Sequence, residues 1–108
     1  MSTLDFAFAA LSDPTRRRIV ARLARSEARV TDLAGPFDMS LNAVSKHLKV
    51  LERAGLVRRR RAGREHYLAL RAAPLREVAR WTSQYERFWN RRLDALGEFL
   101  AATDSKEE

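Results

Sequence analysis

The chain contains no cysteine, only four glycines and three prolines, and no long uninterrupted apolar run. The absence of cysteine excludes disulfides, thiolate metal sites and a cysteine nucleophile. No apolar segment reaches the roughly 18–20 residues that a membrane span requires. Residues 1–5 lack the basic and apolar regions of a secretory signal. These absences predict a soluble, cytoplasmic protein that does not enter a membrane.

The length of 108 residues and the hydrophobic content of 45% are typical of one folded domain. A chain of this size buries a modest core and has little room for a large cofactor, so no cofactor is expected. We predict a single domain over residues 1–102, whose last helix spans about residues 74–102, and a flexible polar tail at 103–108.

Positive charge is concentrated in the first part of the chain. The formal net charge is +7, and residues 1–64 hold fourteen Lys or Arg against six Asp or Glu, whereas residues 65–108 hold seven against eight. A basic segment joined to a nearly neutral one indicates a part that binds a polyanion and a part with another task. The alternative is a solvated basic surface without a partner.

Apolar periodicity and turn residues predict a mainly α chain with one small β-hairpin. Four helices come first; Ser12 or Asp13 can cap the second, Thr31 the third and Ser40 the fourth, which ends before Gly55. Two short strands with a Gly-containing turn at 62–64 follow, and then the long last helix opens at a proline. This order of elements predicts a winged helix-turn-helix.

The predicted fourth helix has two chemically different faces. At about 100° per residue, Val44, Leu48 and Leu51 lie opposite an arc that holds no carboxylate. An ordinary surface helix usually mixes acids with bases there, so the acid-free arc favours contact with nucleic acid. Amides, hydroxyls and ammonium groups suit base edges and phosphates. The residues predicted to contact DNA bases are Ser40, Leu41, Asn42, Ser45, Lys46 and Lys49.

The predicted hairpin is rich in arginine. Successive residues of a strand point to opposite faces, so its four consecutive arginines cannot all be buried. They suit a neighbouring phosphate backbone, whereas a strand edge kept soluble by charge would explain only one or two of them. The residues predicted to contact phosphates, with two from the second helix, are Arg16, Arg17, Arg58, Arg59, Arg60, Arg61 and Arg64.

The predicted last helix carries an apolar stripe about 140° wide and about five turns long. Few other elements can cover it, and exposed patches of this size are usually interfaces. We expect part of it to face the chain's own core and part to face a second copy. Arg92 lies within the stripe without an evident role. The predicted dimer interface, with two residues of the first helix, comprises Leu4, Phe8, Trp81, Tyr85, Phe88, Trp89, Leu93, Leu96 and Leu100.

Several motifs resemble one bacterial family. The segment MSLNAVSKHLKVLERAGLV at 39–57, RAGR at 61–64 and DPTRR at 13–17 closely resemble the ArsR/SmtB transcription repressors. The resemblance covers about residues 4–100. It implies a homodimer joined by its first and last helices, with the fourth helix of each copy in the major groove of an inverted repeat.

The resemblance fails at the family's metal sites. Arg29 and Thr31 stand where its two cysteine ligands lie, and neither replaces a thiolate for a soft metal. No histidine follows His66 on the last helix, so the second known site is missing as well. His47 falls between the two faces of the fourth helix, where a packed histidine is more usual than a ligand. We therefore expect a branch without metal, and the motifs identify no small-molecule effector.

These observations predict a dimeric, sequence-specific repressor that binds a palindromic site in double-stranded DNA. The alternative is a winged-helix module that binds another protein through its aromatic last helix. An enzyme is not expected, because no metal cluster, phosphate-binding glycine loop or acid–base pair is evident.

Overall fold

The computed structural model describes residues 2–107, and their side chains as far as residue 104. The chain packs as two units, one up to Val78 and one from Ala79 onward. Its elements, in chain order, are α1 (Thr3–Leu11), α2 (Pro14–Leu23), β1 (Ala28–Arg29), α3 (Val30–Ala34), α4 (Leu41–Arg53), β2 (Val57–Ala62), β3 (Glu65–Leu70) and α5 (Ala72–Glu107). The mainly helical fold with a small sheet, a winged helix-turn-helix, is as predicted.

Side-chain caps set the helix starts. The Asp13 carboxylate accepts the backbone N–H of Arg16 at 3.0 Å, directly before the proline that opens α2. The Ser40 hydroxyl likewise accepts the backbone N–H of Ala43 at 3.2 Å at the start of α4. After α4 the chain passes through Gly55, whose φ of +75° suits glycine. These three predicted helix boundaries are confirmed.

The third helix begins earlier than predicted. Arg29, rather than Thr31, is its N-cap residue, and Asp32 accepts the backbone N–H of Arg29 at 3.2 Å. Thr31 lies inside the helix because the preceding residues pair with the sheet. Ala28 and Arg29 form a third strand opposite Leu68 and Tyr67 of β3. A strand of two residues is too short to show alternation, which is why the sequence did not indicate it.

The three strands form an antiparallel sheet in the order β1, β3, β2. The predicted hairpin is confirmed: β2 pairs with β3 from Val57–Leu70 to Ala62–Glu65. Gly63, with a φ of +63°, occupies the first position of the two-residue turn, which is where a type II′ turn places a positive φ. We call this hairpin, residues 57–70, the wing.

The core of the first unit lies between α2, α3, α4 and the root of the wing. Its largest fully buried side chains are Ile19, Leu33, Val44, Leu48, Leu51, Leu56 and Leu68. Helix α4 contributes three of them from one face, and the wing contributes Leu68 from its central strand. The buried face of α4 therefore fixes which of its side chains remain outside.

Helix α5 is longer than predicted at both ends. It starts two residues before Pro74 and continues through Glu107, beyond the expected end near Ala102. The polar residues after Ala102 include no Gly or Pro to stop the helix, and the Thr103 hydroxyl donates to the Phe99 carbonyl at 2.9 Å. Residue 108 of the predicted tail lies outside the described residues. In the part of the chain that is described, no helix combines the length and apolarity needed to cross a bilayer.

Candidate nucleic-acid interface

The outer face of α4 presents polar and cationic side chains. Asn42, Lys46 and Lys49 are exposed, opposite Val44 and Leu48, which have no exposed surface. The sharp division follows from the sequence, because every buried position of this helix is aliphatic. The carboxylate-free arc that the sequence predicted therefore lies on the surface of the molecule.

The start of α4 adds one polar and one apolar group. The hydroxyl of Ser40 accepts the N–H of Ala43, so one lone pair of this oxygen serves as the helix cap. Leu41 is 51% exposed, although it is a large aliphatic residue. An aliphatic side chain beside polar ones at a helix start can contact a thymine methyl group.

A groove of about 360 Å³ separates α4 from the wing. Ser45 and Leu41 line it from the helix, and Arg59, Arg64 and His66 line it from the wing. Ser45 is half-buried for this reason, whereas Lys46 beside it is exposed. The structure thus brings predicted base-contacting and phosphate-contacting residues to the same groove.

Carboxylates bind two of the wing arginines. Arg59 donates from Nη2 and Nε to Glu52 Oε1, at 2.6 and 3.1 Å. Arg60 donates to Glu27 and lies over the Tyr67 ring, 4.5 Å from its centroid. The hydrogen bond from Arg60 lowers the pKa of the Glu27 carboxyl, and that carboxylate in turn raises the pKa of Arg60. Both arginines are therefore paired with a carboxylate of the same chain.

The other wing arginines are differently placed. Arg61 Nε donates to the Gly63 carbonyl at 3.3 Å and pairs with no carboxylate among the residues whose side chains are described. Arg58 and Arg64 make no hydrogen bond or ion pair with any residue that the structure describes. All three are exposed, so their positive charge is directed outward from the wing.

The two arginines of α2 that were predicted to contact phosphates donate hydrogen bonds to carbonyls at the end of α1. Arg16 Nε donates to the Ala10 carbonyl at 2.6 Å and Nη2 to the Ala9 carbonyl at 3.3 Å. Arg17 Nη1 donates to the Leu11 carbonyl at 2.7 Å. These bonds satisfy carbonyls that a helix end leaves without partners. Their predicted phosphate contacts remain a prediction, and the structure assigns both side chains a role in folding.

His47 packs between α4 and α2. Its Nδ1 atom lies 3.8 Å from the Asp13 carboxylate and 3.5 Å from Arg16 Nη1, and its side chain is 22% exposed. Asp13 has a lowered pKa, first because it accepts the backbone N–H of Arg16 and further because His47 and Arg16 are near. These neighbours are those of a packed histidine.

Sequence reasoning missed the carboxylates that hold the wing and the sheet. Glu52 lies at the flank of the α4 polar arc, and Glu27 precedes β1. A third group, Glu65, accepts Arg29 Nη1 at 3.2 Å, while Arg29 also binds Asp32. Glu27 and Arg60 are 33 residues apart in sequence, and Arg29 and Glu65 are 36 apart. Only Glu52, seven residues from Arg59 and at the flank of the polar arc, gave a signal.

The second unit is one helical segment with an exposed apolar stripe. Trp81 and Tyr85 have ring centroids 4.8 Å apart, and Phe88 and Trp89 have centroids 5.8 Å apart. Arg92, unexplained by the sequence, lies over the Phe88 ring at 4.8 Å. The exposed fractions run from 42% to 66% across the stripe residues Trp81, Tyr85, Phe88, Trp89, Leu93, Leu96, Phe99 and Leu100. Of the two predicted interface residues in α1, Phe8 is 39% exposed and Leu4 is half-buried.

Comparison with known proteins points to DNA-binding regulators. A helix-turn-helix domain family matches residues 11–60. The HTH-type transcriptional regulator Rv2034 of Mycobacterium tuberculosis is 41% identical over 89% of this chain and 87% of its own length. A transcriptional repressor SmtB homolog of Synechocystis is 46% identical over 58% of this chain, which spans about half (48%) of that relative. The crystal structure of an ArsR family transcriptional regulator superposes with a TM-score of 0.75 at 38% identity, covering 82% of this chain and 98% of that one.

Proposed function

The chain belongs to the ArsR/SmtB family of winged-helix, DNA-binding transcription regulators, and from this premise we propose that it is a dimeric repressor of a palindromic operator. The observation that carries the proposal is the acid-free, exposed face of α4 beside an arginine-rich wing. In this proposal residues 1–102 act as one DNA-binding and dimerisation domain, in the cytoplasm.

Base contacts come from the outer face of α4. Asn42 can pair with adenine, and Lys46 or Lys49 with guanine, because their donors and acceptors match the edges that the major groove presents. Ser45 lies closer to the wing and reaches a base or a phosphate from the groove. Leu41 and Ser40 stand at the helix start, where Leu41 contacts a thymine methyl.

Phosphate contacts come chiefly from the wing arginines that bind no carboxylate, Arg58, Arg61 and Arg64. Each supplies an exposed positive charge without first breaking an ion pair. Such contacts position the protein on the duplex and add affinity for any sequence. The wing thus accounts for binding strength, and α4 accounts for sequence preference.

Dimerisation follows from the α5 stripe together with Leu4 and Phe8. Eight large apolar side chains exposed on one helix favour a self-complementary contact with a second copy. A twofold dimer presents two α4 helices about 34 Å apart, one turn of DNA, to the halves of a palindrome. The same stripe could instead bind a different protein, and a chain that is monomeric in isolation would favour that function.

The test is selection from random duplexes with the purified chain, followed by footprinting on the region upstream of its own gene. We expect a recovered palindrome with half-sites about 10 bp apart. The logarithm of its affinity should fall with the logarithm of salt concentration by about 0.9 for each phosphate neutralised. Recovery of no common sequence, or an affinity indifferent to salt, would contradict the proposal.

A further inference from the structure

We propose that Arg59 is a positioning residue, which with Glu52 and His66 fixes the wing against the recognition helix α4 instead of contacting a phosphate. The inference rests on the proposed function and deepens it. Two N–H groups of Arg59 reach Glu52 Oε1 on α4, at 2.6 and 3.1 Å, and Nη1 lies 3.3 Å from His66 Nδ1 on β3. One guanidinium therefore connects three elements of the interface.

The neighbouring arginine has the opposite environment. Successive side chains of a strand point to opposite faces, so Arg58 and Arg59 of β2 point away from each other. Arg58 has no hydrogen bond or ion pair to any described residue, whereas the side chains of Arg59 and Glu52 are only 31% and 30% exposed. Arg58 is thus available to a ligand, whereas Arg59 is already bound to Glu52.

The fixed geometry of a guanidinium limits what Arg59 can bind in addition. It has five N–H donors; three of them, one each on Nε, Nη2 and Nη1, are directed at Glu52 and His66, which leaves one on each Nη atom. A bidentate phosphate contact through Nε and Nη2 would compete with a charge-assisted pair that is partly shielded from water. The pair is therefore retained when the wing meets DNA.

Retaining the pair matters because it joins α4 to the wing at Arg59, which lines the groove between them. Ser45 and Leu41 line one side of the groove, and Arg64 lines the other. Phosphate contacts set the register in which base-reading side chains meet their bases. The hydrogen bonds of Arg59 to Glu52 and His66 fix the distance between the base-reading side chains of α4 and the phosphate-contacting arginines of the wing. Arg59 therefore determines sequence preference without touching DNA.

The experiment compares Arg59→Met with Arg58→Met, its matched control on the same strand. Affinities are measured for the duplex recovered by selection and for a shuffled duplex, at several salt concentrations, below the melting temperature of each variant. For Arg58→Met we expect the affinity to fall equally on both duplexes, and the slope of log affinity against log salt concentration to become smaller by about 0.9. For Arg59→Met we expect an unchanged slope and a preference for the selected duplex reduced about tenfold.

Glu52→Met, which removes both the charge and the hydrogen-bond acceptor of Arg59, provides a second variant that separates the two roles. If Arg59 contacts phosphate, removing its carboxylate partner frees it, so both duplexes bind more tightly and with a steeper salt slope. If Arg59 positions the wing, the preference for the selected duplex falls, as in Arg59→Met. The charge-exchanged protein, with Glu52→Arg and Arg59→Glu together, should recover part of that preference.

A smaller salt slope with unchanged preference in Arg59→Met would overturn the inference, as would unchanged preference in Glu52→Met. Those results leave the proposed function intact as long as the wild-type chain prefers the selected duplex. A wild-type chain without any sequence preference would overturn the proposed function and this inference together.

Discussion

At the residue scale, the role of each arginine depends on the carboxylate within its reach. Arg59 and Arg60 form ion pairs with Glu52 and Glu27, whereas Arg58 forms none with any described residue and its charge only contributes to the lowered pKa of Glu27. All three have the same chemistry and stand in one unbroken run of the sequence. What differs between them is the position of the nearest carboxylate in the folded chain: an arginine in an ion pair stabilises the fold, and one without an ion pair is available to a phosphate.

Lys46 and Arg64 should affect DNA binding in different ways. Lys46→Ala removes a donor from the outer face of α4, so discrimination between the selected and a mismatched duplex should fall by about 1–3 kcal/mol. Arg64→Ala removes an exposed charge from the wing, so all sequences should weaken alike. Titrations of both duplexes with both variants provide the check. The assigned roles are wrong if the two variants lose the same affinity on every sequence.

Asp13 should make the fold sensitive to acid. Its folded pKa lies below the ordinary value of 3.8, chiefly because it accepts the backbone N–H of Arg16. A lowered pKa stabilises the folded state above the ordinary value, and that stability is lost as pH falls through the folded value. We expect the melting temperature to fall more steeply between about pH 5 and pH 2 in the wild type than in Asp13→Asn.

Asn also caps helices well, so this substitution removes the charge and keeps the cap. Asp94→Asn, in an exposed part of α5, controls for the loss of one negative charge elsewhere. If the melting temperatures of the wild type and Asp13→Asn fall in parallel as the pH is lowered, this carboxylate does not contribute to the acid sensitivity of the fold.

At the element scale, α4 is defined by its two ends and its buried face. The Ser40 cap, the aliphatic side facing the core and the left-handed glycine after the helix all stabilise the same 13-residue segment. Agreement between local signals and packing explains why its boundaries were predictable. The helix that presents the proposed base-contacting residues is thereby stabilised at both ends.

Two glycine substitutions should have opposite effects on stability. Gly55→Ala places a Cβ at a φ of +75°, which costs about 1–2 kcal/mol. Gly97→Ala lies within α5 with no atom near the new Cβ, so it should stabilise the helix by about 1 kcal/mol. Thermal unfolding of both variants measures the difference. Stabilisation by Gly55→Ala would contradict the backbone argument.

At the scale of the whole molecule, the proposed dimer joins two recognition helices into one binding surface. Leu93 is 60% exposed on the α5 stripe, and the exposed Arg87 lies about 120° away from it, on the polar side of the same helix. We expect light scattering to give twice the single-chain mass for the wild type and for Arg87→Glu, but the single-chain mass for Leu93→Glu. The reason is that each copy would place a charge in the apolar contact.

Loss of the dimer should also weaken binding to the palindrome far more than binding to a single half-site, since two linked contacts reinforce each other. A wild-type chain with the mass of one copy would contradict the dimer and would favour the protein-binding alternative.

The sequence by itself determined the order of elements, the caps at Asp13 and Ser40, the hairpin turn and the acid-free face of α4. These features depend on residues within a few positions of one another, so local periodicity and backbone preference specify them. Tertiary structure alone decided the two-residue strand β1, the closing of α1 by Arg16 and Arg17, and the division of the wing arginines by Glu27 and Glu52. Each of these depends on contacts between different elements. Arg16, Arg17 and Arg59 meet partners six or seven residues away across a turn, whereas Glu27 and β1 meet the wing from more than 30 residues away. The periodicity within one helix or strand does not record which groups of two elements will meet.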